Sequence, residues 1–117
     1  MTPPSNPLAS VPPPQDLTRD SIVRDAPRDI EQRPTLGGIV LRAKVGQGGM
    51  GAVYHGVHPR LGVDVAVKVL PFHLAERNPT LVQRFFSEAR LAARIKSPNL
   101  VAVLDVNEEA GIHYLVQ

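Results

Sequence analysis

The stretch Val45–Leu70, "VGQGGMGAVYHGVHPRLGVDVAVKVL", decides how this chain is read. Four glycines fall between positions 46 and 51, and strand-forming residues come directly after them. Glycine loses more backbone freedom on folding than any other residue, so this density must serve close approach or a backbone angle that a side chain forbids. "AVYHGVH" (52–58) has the composition of a strand, "PRLG" (59–62) has turn chemistry, and "VDVAVKVL" (63–70) returns as the next strand. Upstream, "IVLRAKV" (39–45) reads as the strand that leads into the glycines. In the returning strand Val63, Val65, Val67 and Val69 share one face, and Asp64, Ala66, Lys68 and Leu70 share the other. Lys68 therefore sits in an apolar strand, where a cation is costly unless an anion meets it.

Beyond this core the chain predicts one long helix. Asn78 suits a cap and Pro79 a first helical position, and "TLVQRFFSEARLAARI" comes next. At about 100° per residue, Leu81, Val82, Phe85, Phe86, Ala89, Ala92, Ala93 and Ile95 form one broad apolar arc, and Glu88 falls inside it. A carboxylate on a buried face needs a partner, as Lys68 does. "SPN" (97–99) stops the helix, "LVAVLDV" (100–106) reads as a strand, "NEEAG" (107–111) as a polar turn and "IHYLVQ" (112–117) as a last strand. The expected fold is α+β: a five-stranded antiparallel sheet packed on one long helix.

Upstream of Gly38 the texture differs. Eight of the 12 prolines lie in the first 38 residues, among them the run "PPSNPLASVPPP". With few large apolar residues and the mixed-charge run "RDSIVRDAPRDIEQRP", residues 1–38 are expected to form a disordered leader, with the folded unit confined to 39–117. Pro4 and Pro7 form a single P-x-x-P match, a pattern common by chance in such tails.

Composition narrows the function. The chain has no cysteine, which removes disulfides, thiolate metal sites and thiol nucleophiles. The net charge of +2 does not argue for nucleic acid, and no apolar run reaches bilayer length, so a cytoplasmic protein is expected. His55 and His58 are three apart on a strand, hence on opposite faces, and no metal site is expected.

Gly46, Gly48 and Gly51 satisfy G-x-G-x-x-G, a spacing shared by several phosphate loops. A dinucleotide loop opens a helix, whereas this one opens a strand. A P-loop ends in Gly-Lys-Ser/Thr, whereas here Gly51-Ala52-Val53 stands in that place. A hairpin loop that covers nucleotide phosphates from above fits both flanks.

The segment resembles the start of a bacterial-type serine/threonine protein kinase domain, down to the "GGMG" form of its loop. "VAVK" (65–68) is similar to the V-A-I-K strand of that family, Glu88 in "FSEARLAARI" matches its helix glutamate, and "SPNLV" looks like His-Pro-Asn-Ile-Val with Ser97 in the histidine's place. The resemblance covers residues 39–117. It implies an ATP lid formed by Val45, Gly46, Gln47, Gly48, Gly49, Met50, Gly51, Ala52 and Val53. In this scheme Lys68 holds the α- and β-phosphates, and Glu88 orients Lys68. Val45, Val53 and Ala66 pack on adenine, and Gln117 gates the back of the pocket. ATP is the implied ligand, with Mg²⁺ expected only for a full-length kinase domain. A protein substrate would bind through a large lobe that these residues do not include.

The sequence contains neither the catalytic loop H-R-D-x-x-x-x-N nor D-F-G, so no catalytic residue is assigned, and Asp64 and Asp105 lack the flanking pattern. The expectation is the truncated small lobe of a serine/threonine kinase, inactive alone. The alternative is a non-catalytic interaction or regulatory module derived from such a lobe.

Overall fold

A computed structural model describes residues 11–49, 51–94 and 103–117. Its sheet is built of β1 (Thr35–Leu36), β2 (Ile39–Gly48), β3 (Gly51–Val57), β4 (Asp64–Leu70), β5 (Asp105–Glu109) and β6 (Ile112–Val116), with α1 (Phe72–Arg77) and α2 (Pro79–Arg94) inserted after β4. The strands pair antiparallel in the order β1-β2-β3-β4-β6-β5. Among the described residues the sheet thus has six strands rather than five.

The period-two pattern of β4 works as the sequence implies. Val65, Val67 and Val69 are buried on the outer face of the sheet, while Ala66 and Leu70 are buried on the opposite face. The outer face gathers Ile39 and Leu41 from β2, Ala52 and Tyr54 from β3, and Ile112, Tyr114 and Val116 from β6. On the other face Leu70 and Leu115 pack with Phe85 and Ala89 of α2. Phe86 meets His113 edge-on, with ring centroids 5.3 Å apart.

Three local differences from the sequence expectation have physical causes. First, Gly37 and Gly38 both adopt positive φ (58° and 80°), which makes a two-residue hairpin turn and adds the short strand β1. Second, the polar segment read as the turn 107–111 is mostly strand. Ala110 and Gly111 alone turn (φ 52° and 78°), so Asn107 to Glu109 pair with β6. Residues 95–102, where the expected strand began, lie outside the described residues. Third, Pro71 starts the short helix α1, its carbonyl accepting from Leu74 and Ala75 N–H at 3.1 Å each. Asn78 joins the two helices through its backbone: its N–H reaches the Leu74 carbonyl and its own carbonyl accepts from Leu81 N–H.

The largest difference concerns the leader. The expectation of a disordered segment over residues 1–38 does not hold for residues 11–38. Leu17, Ile22, Val23, Ala26 and Leu36 are buried against the outer face of the sheet, in one cluster with Tyr54 and the β4 valines. Residues 1–10 lie outside the described residues. The segment 11–38 folds because three of its aspartates, Asp16, Asp20 and Asp29, anchor turns. The carboxylate of Asp16 accepts from Thr18 N–H, that of Asp20 from Ile22 N–H and that of Asp29 from Glu31 and Arg33 N–H, at 2.8–2.9 Å. Each Asx turn reverses the chain between apolar residues, and the few that exist therefore reach one surface.

Candidate functional site

The glycine hairpin connects β2 to β3 and arches over Lys68. Gly46, Gln47, Gly48, Gly51, Ala52, Val53 and Lys68 line a cleft of ≈ 180 Å³. Lys68 is opposite Val53 on β3 and Leu115 on β6, so the pairing register delivers its stem to the floor beneath the loop.

The glycines divide into two kinds. At Gly51 φ is +123° and a Cβ would lie 1.9 Å from the Val69 carbonyl oxygen, so the fold itself demands glycine there. At Gly46, Gly48 and Gly49 φ is not in the left-handed range and a Cβ would meet nothing within 4 Å. The packing of the described residues does not explain those three. Gly46 and Gly48 line the cleft with Lys68, and the absence of their side chains leaves room for an anionic group to approach the main chain.

Of the other residues named from sequence, Val45 is half-buried in β2 and Ala66 is buried on the same face as Lys68. Gln117 lies beside Ala66, and the two exchange backbone hydrogen bonds at 2.8 and 2.9 Å. Gly49 is exposed and does not line the cleft, and Met50 lies outside the described residues. Glu88 is exposed on α2, and among the described residues no ion pair joins it to Lys68. The rotation of α2 explains this. Phe85, Ala89, Val82 and Phe86 form its buried seam, and at about 100° per residue Glu88 stands roughly 100° from the seam's centre. Two phenylalanines dominate the apolar area and set the face.

Sequence reasoning missed a cluster beside the loop. Asp20, whose side chain is 6% exposed, accepts from the Tyr54 hydroxyl at 2.8 Å and from Lys44 Nζ at 2.8 Å. Lys44 Nζ also donates to Gln47 Oε1 at 2.8 Å and lies 5.9 Å from the centroid of the Tyr54 ring. Burial pushes the Asp20 carboxyl up, but its hydrogen bonds from Lys44, Tyr54 and Ile22 outweigh that, and the group is held below the ordinary carboxylate value. Burial and the neighbouring Asp20 charge drive the Tyr54 hydroxyl far upward, so it stays protonated and donates. The Asp-x-Thr and Asp-x-Ile steps at Asp16 and Asp20 signal turns, but nothing in the sequence links Asp20 to Lys44 or Tyr54.

His55 and His58, set aside as metal ligands, have structural partners. His55 Nε2 meets Asp64 Oδ1 at 2.7 Å, and His58 Nδ1 accepts from Arg60 and Leu61 N–H in the β3–β4 turn. Among the described residues no group of three or more His, Asp or Glu side chains could hold a metal ion, and no helix is long and apolar enough to cross a membrane.

A glycine hairpin over a strand lysine, on an antiparallel sheet backed by one long helix, is the arrangement of the small lobe of a protein kinase. Residues 39–117 match the family model for the protein tyrosine and serine/threonine kinase domain, and the chain belongs to that family. Serine/threonine-protein kinase Pkn1 of Myxococcus xanthus is 45% identical over 80 residues, which is 68% of this chain and 11% of Pkn1. Serine/threonine-protein kinase PrkC of Bacillus subtilis is 39% identical over 72 residues, 62% of this chain and 11% of PrkC. The crystal structure of the Mycobacterium tuberculosis PknI kinase domain superposes with a TM-score of 0.56 at 30% identity, covering 70% of this chain and 33% of that domain. The likeness is to bacterial-type serine/threonine kinases, and the chain spans about a tenth of the length of the curated relatives it matches.

Proposed function

We propose that residues 39–117 bind the phosphates of ATP as the small lobe of a serine/threonine protein kinase, and that these 117 residues by themselves transfer no phosphate. The observation that carries this reading is the open space at Gly46 and Gly48, which line one cleft with Lys68. Backbone N–H groups would meet the phosphate oxygens from above, and the Lys68 ammonium would neutralise the α- and β-phosphates from below. Val45, Val53 and Ala66 would hold the adenine, and Gln117, at the end of the ladder beside Ala66, would border the back of that pocket. Glu88 would come to Lys68 only if α2 turned its Glu88 edge inward. The cleft is smaller than the roughly 300–1,000 Å³ typical of small-molecule sites, which agrees with one wall of a nucleotide pocket rather than a complete one.

Magnesium, which the family uses with ATP, finds no ligand cluster among the described residues, and no step here is assigned to it. The sequence lacks H-R-D and D-F-G, the segments that would accept the substrate proton and hold the metal. Incubation with magnesium ATP and a generic protein substrate tests the inactive reading. Phosphate transfer that Lys68→Met abolishes would overturn it.

The solvent position of Glu88 favours a second reading, a lobe that serves as a docking or regulatory module without nucleotide. A melting shift by ATP that Lys68→Met removes decides for the first reading; a shift of zero decides for the second.

A further inference from the structure

We propose that the segment Gln15–Asp20 is a clamp that sets the position of the glycine loop, with Asp20 and Lys44 as its positioning residues. The inference rests on the nucleotide reading above only for its consequence, not for the clamp itself.

The geometry of β2 shows where the clamp grips. The pairing of β2 with β3 slips twice, between Leu41 and Ala43 and between Lys44 and Gly46, which leaves Arg42 and Val45 as extra residues. Bulges of this kind bend a strand and re-aim the residues beyond the bend, and the second lies immediately before Gly46. Both are held by the same residue of the leader. The Gln15 N–H donates to the Arg42 carbonyl at 2.7 Å, its side-chain Nε2 donates to the Lys44 carbonyl at 3.4 Å, and its Oε1 accepts from Lys44 N–H at 3.1 Å. Gln15 thereby satisfies backbone groups along an edge that β1, which reaches only to Val40, leaves open.

Side chains continue the connection. Asp20 is fixed by the Tyr54 hydroxyl and by Ile22 N–H, and it holds Lys44 Nζ at 2.8 Å. The same Nζ donates to Gln47 Oε1, inside the loop, at 2.8 Å. A buried carboxylate in the leader is thus joined through one ammonium to a residue on the lining of the cleft. Loss of the carboxylate frees Lys44, and the loop then samples positions in which its N–H groups no longer converge on one anion.

Amide hydrogen exchange on the nucleotide-free chain tests this directly. Asp20→Asn should raise exchange at Gly46–Gly49 at least five-fold while the β3–β4 ladder keeps its protection. Unchanged loop exchange, or an equal rise across the whole sheet, would overturn the clamp. Where Asp20→Asn perturbs folding, Gln47→Ala cuts the connection at an exposed residue and should reproduce the loop effect. Combining Asp20→Asn with Gln47→Ala should add nothing to either variant alone, since the two residues communicate only through Lys44; multiplied effects would overturn that route. ATP titration is the second arm. Asp20→Asn should weaken binding about five- to ten-fold, and Asp20→Glu should recover part of it. Absence of ATP binding by the wild-type chain would overturn the nucleotide reading, while the exchange result still decides the clamp.

Discussion

At the scale of single residues, the two kinds of glycine make opposite predictions. Gly51→Ala forces a left-handed backbone on alanine and drives its Cβ into the Val69 carbonyl, so it should cost about 2–4 kcal/mol, read as a lowered denaturant midpoint. Gly48→Ala, facing open space, should leave that midpoint within about 0.5 kcal/mol while weakening ATP binding. Equal destabilisation by the two would show that the loop glycines serve the fold alone. Tyr54→Phe removes a hydrogen bond to a buried carboxylate and should cost about 1.5–3 kcal/mol by the same measurement.

At the scale of elements, the sequence was most legible where periodicity and turn chemistry agreed. The β3–β4 hairpin, the two faces of β4 and the span of α2 came from the valine alternation, from "PRLG" and from Pro79. Gly46, Gln47, Gly48, Gly51, Ala52 and Val53 line one cleft with Lys68. Glu88 did not join them, because helical spacing places it at the rim of an arc whose centre only tertiary packing of Phe85 and Phe86 could choose. The leader was illegible for another reason: proline and charge content describe how little a segment can bury, not where Asx turns bring its few apolar groups. Asp20 supplies the pH test of that element. Its carboxyl is depressed when folded, so its contribution is present above the ordinary value of 3.8 and is lost as pH falls through the lower folded value. The stability difference between wild type and Asp20→Asn should therefore shrink on acidification below about pH 4. A difference that grows instead would contradict the Lys44 and Tyr54 contacts.

At the scale of the whole molecule, the sheet is covered on both sides, by α2 on one and by the leader on the other. Deleting residues 1–33 uncovers Tyr54 and the β4 valines and removes Leu17, Ile22, Val23 and Ala26 from the core. Full burial of one such large aliphatic side chain contributes about 1.5–3 kcal/mol, against a typical total of about 5–15 kcal/mol for a domain. The shortened chain should therefore bind a hydrophobic dye and aggregate. A soluble, cooperatively melting 34–117 chain would show that the leader is dispensable.

The glycine hairpin is fastened at both roots: Gly51 is wedged under the Val69 carbonyl, and the β2 limb is bound by Gln15 and Asp20. A flap with one fixed edge swings like a door. One fixed at two edges has less freedom to swing, so the proposed clamp would keep the room above Lys68 nearly constant whether or not an anion is there.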